Sequence, residues 1–131
     1  MCRWRCERLG RCLLVDLHSY ATRPLPYELH AEEPRPQVCL GHNGDAAGRD
    51  AAVLFADRLA EAGYTVGVNT TFHGAIRPEP LDERRYPTLA PLMIEIRKDV
   101  YLGHEDADRL TRLLAETAGL WMNRTDRKDP S

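Results

Sequence analysis

Two short segments carry the side chains that chemistry uses. The first is Asp16-Leu17-His18-Ser19-Tyr20, a carboxylate and an imidazole two positions apart. In an extended chain that spacing directs both to the same side, so that one can hold a metal while the other orients the site. A histidine hydrogen-bonded at a strand end is the plainer alternative. The second is Met93-Ile94-Glu95-Ile96-Arg97, which puts a carboxylate inside an otherwise apolar strand, with Met93 and Arg97 on its face and the isoleucines on the other. A buried carboxylate is costly unless it is paired or bound to something. Either Glu95 pairs with Arg97 or another arginine, or it is a general base tuned by burial and a nearby metal-bound water.

Between these segments, residues 69–91 carry Asn69, Thr70, Thr71, His73, Arg77, Arg84, Arg85 and Tyr86. Arginine grips carboxylates through a planar two-donor fork, which suits an acidic substrate; any one of these arginines is equally at home in solvent. Of the cysteines Cys2, Cys6, Cys12 and Cys39, the first three match no common zinc-finger spacing and read as incidental thiols of a reducing compartment, a metal or disulfide role being the alternative.

The elements that must position these groups follow from periodicity. Residues 12–17 (CLLVDL) form a largely apolar run expected as a fully buried strand that delivers Asp16 and His18 at its C-terminal end. Four prolines make residues 19–36 a loop, and 37–40 a short strand leading into the turn-like GHNGD. Ala52, Phe55, Ala56 and Leu59 fall on one face of a helix over 48–62 that Gly63 stops. Residues 64–69 and 92–96 read as buried strands, joined by a Pro-rich stretch, 70–91, whose length marks it as functional or disordered. Ala107, Leu110, Leu114, Ala118 and Trp121 define a closing amphipathic helix, with Glu105 and Asp106 suited to its positive end. The expected fold is α/β, a partial mixed sheet of three or four strands with two main helices. The expected divisions are an Arg/Cys-rich segment over 1–11, the domain over 12–122 and a polar tail over 123–131. Because the chain starts about a dozen residues before its first strand, that strand's sheet neighbours and an apolar edge are left to account for, and self-association or ready unfolding is expected.

The 131 residues suit one domain, and 18 basic against 20 acidic side chains give a formal charge of -2. Near-balance argues against a nucleic-acid partner, which needs a clustered basic surface. No apolar run approaches the length that spans a bilayer, so no membrane partner and a cytoplasmic location are expected.

Taken together, LLVDLHSYATRPLPYE, the strand GYTVGVN followed by TTFHGAIRP, and LMIEIRKDVYL resemble the second half of the N-formylglutamate amidohydrolase family, relatives of the zinc carboxypeptidases. The likeness covers roughly residues 12–102 in the family's order. It implies a zinc-carboxypeptidase-like fold and a zinc-dependent hydrolase of linear amides that converts N-formyl-L-glutamate and water to formate and glutamate. In the family's D-x-H-S element the histidine holds zinc, so the resemblance implies His18 as a zinc ligand supported by Asp16. Glu95 in IEIR matches the late-strand glutamate that serves as base and then proton donor. Asn69, Arg77 and Arg97 are the expected contacts to a small acidic amide substrate.

The family's early His and Glu ligands have no counterpart upstream of the D-x-H-S strand. One imidazole cannot hold a catalytic zinc, which takes three protein ligands and water. The chain is therefore expected to be a C-terminal portion that does not act alone and holds little zinc by itself. The alternatives are a non-catalytic remnant or binding domain without a complete metal site, and a related zinc carboxypeptidase or deacylase.

Overall fold

The computed structural model describes residues 10–28 and 34–124. Cys2, Cys6 and the polar tail from 125 onward lie outside the described residues. Four strands form one mixed sheet: β1 (Cys12–Tyr20), β2 (Val38–Gly41), β3 (Val66–Val68) and β4 (Leu89–Arg97). Their order is β1-β4-β2-β3; β1 runs parallel to β4, β4 antiparallel to β2, and β2 parallel to β3. Two helices, α1 (Ala46–Glu61) and α2 (His104–Met122), complete the α/β fold. None of the described helices is long and apolar enough to cross a membrane.

Alternation divides the sheet into two faces. One presents Val38, Leu40, Leu92, Ile94 and Ile96, which pack with Phe55 and Leu59 of α1 and Leu110 of α2 into the main core. The other presents Glu95 and, through the register His18↔Glu95 and Cys39↔Glu95, a row of chemically active side chains. The helices cover the first face over β2 and β4, leave Val15 and Leu17 of β1 exposed on it, and leave the second face to loops.

Helix α1 begins two residues before the periodicity does. Ala46 and Ala47 carry no pattern of their own, but Asp45 caps the turn by accepting a hydrogen bond from the Gly48 amide at 3.3 Å. Gly63, at φ 95°, ends it as expected. The strand expected over 64–69 shortens to three residues, because Asn69 turns into the left-handed region at φ 50°.

Strand β4 is longer than expected and runs through Pro91. A proline is tolerated there because β2 covers only Met93–Ile96, so the missing donor lies where β4 is paired on one side alone. Strand β1 likewise runs on to Tyr20, which places His18 inside it rather than at its end. It is not the fully buried strand expected. It is an edge of the described sheet, with Leu17 60% exposed and Val15 41% exposed.

Candidate functional site

Parallel pairing of β1 with β4 sets Asp16 beside Met93 and His18 beside Glu95, all on the face away from the helices. These side chains floor a cleft of about 510 Å3, walled by Asn43 after β2 and by residues 73–76. Glu95 is buried at 8% exposure, and its Oε2 finds no hydrogen-bond partner among the described residues. An orphaned buried carboxyl oxygen is expensive to keep. His18 Nε2 lies 2.7 Å from Asp16 Oδ1 at the half-exposed rim.

The loop wall is built by close approach. A Cβ on Gly41 would run into the Gly74 carbonyl oxygen and Met93 Cε, so only glycine lets residues 73–76 cross the end of β2. Asn69 fixes the crossing: its Oδ1 accepts from the His42 and Gly74 amides at 3.0 and 3.1 Å, and its Nδ2 donates to the His42 carbonyl at 3.0 Å.

Burial raises the Glu95 pKa above 4.5; the neighbouring His18 pulls it down and Asp16 pushes it up. Its hydrogen bond to Asp16 raises the His18 pKa above 6.5. Both shifts mean that the folded state binds protons the unfolded state has released. Stability attributable to Glu95 is therefore lost as pH climbs from 4.5 through its folded value, and that from His18 as pH climbs from 6.5 through its own. Glu95→Gln removes the first cost, so urea midpoints should show the variant more stable than the parent at about pH 8, by roughly 0.5–1 kcal/mol, and the gap should narrow at about pH 5. A variant less stable at the higher pH would show that the carboxylate is instead paired.

Arg97 is not that pair. Its Nε and Nη2 donate to Asp99 at 2.6 and 3.0 Å, and its Nη1 to the Arg35 carbonyl at 2.5 Å. It stands one step along the same face of β4 but does not line the cleft. Arg77 reaches Asp45, 2.8 Å away, and the carbonyls of Leu81, Tyr86 and Leu89; it too lies outside the cleft, as does Asn69. The structure thus brings together Asp16, His18 and Glu95 and places Asn69, Arg77 and Arg97 in the framework around them.

Asn43 and His73 also line the cleft, although the sequence assigns neither a role at the site. His73 carries no local signal beyond its residue type. Asn43, within GHNGD, reads as turn punctuation, and only the folded crossing of two loops shows its second role.

The N-formylglutamate amidohydrolase family model matches residues 2–102. No curated protein matches the chain. Among solved structures, N-formylglutamate amidohydrolase from Ralstonia eutropha JMP134 is similar with a TM-score of 0.60 and 23% identity, over 91% of this chain and 46% of that one. A gene product from Agrobacterium tumefaciens is similar with a TM-score of 0.60 and 22% identity, over 92% of this chain and 46% of that one. At these identities the likeness shows the fold. The chain spans about half the length of either solved structure.

Proposed function

The chain belongs to the N-formylglutamate amidohydrolase family, and from that membership we propose that its cleft is the acid–base part of a site that hydrolyses a small acidic amide, N-formyl-L-glutamate being the substrate the family's name supplies. Glu95 carries the proposal: a buried carboxyl with an orphaned oxygen, in register with His18 and facing a cleft.

Hydrolysis adds water across the C–N bond. Glu95 takes one proton as the water oxygen bonds to the carbonyl carbon, then delivers that proton to the departing nitrogen, leaving a carboxylic acid and an amine. For N-formyl-L-glutamate these are formate and glutamate. Burial suits Glu95 to both halves, since a raised pKa makes the protonated form available for delivery. His18, biased toward its cationic form by Asp16, supplies an N–H donor for the oxyanion that develops.

The zinc ion that the resemblance implies does not fit the described residues on their own. Among them no three His, Cys, Asp or Glu side chains are grouped to share an ion, and His18 Nε2 is taken by Asp16. No step above passes through the metal. Elemental analysis after dialysis should find zinc well below one equivalent per chain; stoichiometric zinc that disappears with His18→Ala would contradict this and place the remaining ligands beyond the described residues. The same absence of a ligand group favours one competing function, a binding domain without catalysis. Formate release in the presence of Glu95 and its loss with Glu95→Gln would decide against it.

A further inference from the structure

Residue 73 is bracketed by anchors. On one side, Phe72 stacks at 5.2 Å against Tyr20 and its carbonyl accepts from the Cys39 thiol at 3.5 Å. On the other, Asn43 and Asn69 make five hydrogen bonds to the backbone of His42, Gly74 and Ala75. Gly74 lies at φ 77°, a conformation that lets the chain turn immediately after His73. His73, exposed between these anchors, lines the same cleft as Asp16, His18 and Glu95.

Among the described residues, no arginine or lysine lines the cleft. An anionic ligand entering past two carboxylates needs hydrogen-bond donors to offset its desolvation. Of the side chains there that can donate, His18 has one ring nitrogen on Asp16 and the other assigned to the oxyanion, and the Asn43 amide bonds the Ala75 carbonyl. An imidazole has two nitrogens, so it can hold a protein group with one and a ligand with the other.

We infer that His73, held by the Asn43 and Asn69 clamp, is the residue that recognises the acidic part of the substrate, donating a hydrogen bond to a carboxylate oxygen while Glu95 acts on the amide. This rests on the hydrolase proposed above and assigns its selectivity. Asn43 and Asn69 are positioning residues: their side-chain amides bond the backbone of the two crossing loops. Because the clamp fixes the loop before binding, little ordering is left to offset the contact.

The test is an NMR titration of the isotope-labelled full chain with N-formyl-L-glutamate and, separately, with its uncharged diethyl ester. The acid should move the His73 ring resonances and those of the β4 amides around Glu95. His73→Ala should weaken binding of the acid about tenfold, the value of one charge-assisted hydrogen bond, and leave the diester unchanged. His73→Gln, which restores a donor, should recover part of the loss. Asn69→Gly, which keeps the left-handed backbone but removes the clamp, should weaken the acid selectively. His104→Ala, an exposed histidine at the start of α2, is the control. Equal binding of the acid by parent and His73→Ala, or an equal loss of acid and diester, overturns the role of His73 and leaves the hydrolase intact. No binding of the acid by the parent overturns both.

Discussion

Replacing Glu95 by Gln in a catalytically complete assembly should lower turnover of N-formyl-L-glutamate by at least ~10²- to 10⁴-fold, the usual contribution of a positioned acid or base. Gln keeps the shape and can hydrogen-bond, but it cannot take a proton from water. The alternative, that Glu95 holds the fold together, predicts lost stability of ~3–5 kcal/mol on removing one member of a buried ion pair. Arg97 is not that partner, being committed to Asp99 and the Arg35 carbonyl, and among the described residues Glu95 Oε2 has no hydrogen-bond partner. The variant should therefore lose turnover while its urea midpoint holds or rises. Retained turnover, or a stability loss large enough to explain the lost activity, would contradict the account.

Arg77 should show the opposite pattern. Its guanidinium joins Asp45, at the cap of α1, to three carbonyls spread from Leu81 to Leu89, and so fastens the long connection to the start of β4. Both side chains of the ion pair are largely buried, at 12% and 7% exposure. Arg77→Ala leaves the Asp45 carboxylate with the Gly48 amide but no cation and takes a donor from each of those carbonyls, and a loss of about 3 kcal/mol or more is expected. Lysine should not rescue it, because one ammonium cannot span a planar fork's set of acceptors. A urea melt reads the effect as a lower midpoint at unchanged slope. Unchanged stability with weakened substrate binding would instead return Arg77 to the role expected from its residue type.

That contrast shows where the sequence was informative. Asp16, His18 and Glu95 were legible because each breaks the pattern of its own strand, and strand pairing then needed only one register to bring them together. The two helices were legible because their apolar stripes face one core. Arginines carry no such mark: the fork that grips a substrate carboxylate also grips backbone carbonyls, and only long-range placement tells which. Asn69 is an expected substrate contact by its residue type, and in the structure its left-handed backbone and three side-chain hydrogen bonds hold the loop crossing. His73 and Asn43 enter the cleft through the crossing of two loops far apart in the chain, which no local pattern encodes. The apolar run of strand β1 predicts burial, but β1 is an edge strand of the described sheet, and Val15 and Leu17 lie exposed on the face that carries the core over its neighbours.

On the proposed function, this chain supplies the proton-transfer face of an amide-hydrolysing cleft. The most direct measurement is formate release from N-formyl-L-glutamate by a chimera in which residues 12–122 replace the matching region of the Ralstonia eutropha protein, with folding checked by a cooperative melt. The account predicts formate release above the buffer rate and its loss by at least ~10²-fold with Glu95→Gln. A chimera that melts cooperatively yet releases no formate, or one that works equally well with Glu95→Gln, would contradict it.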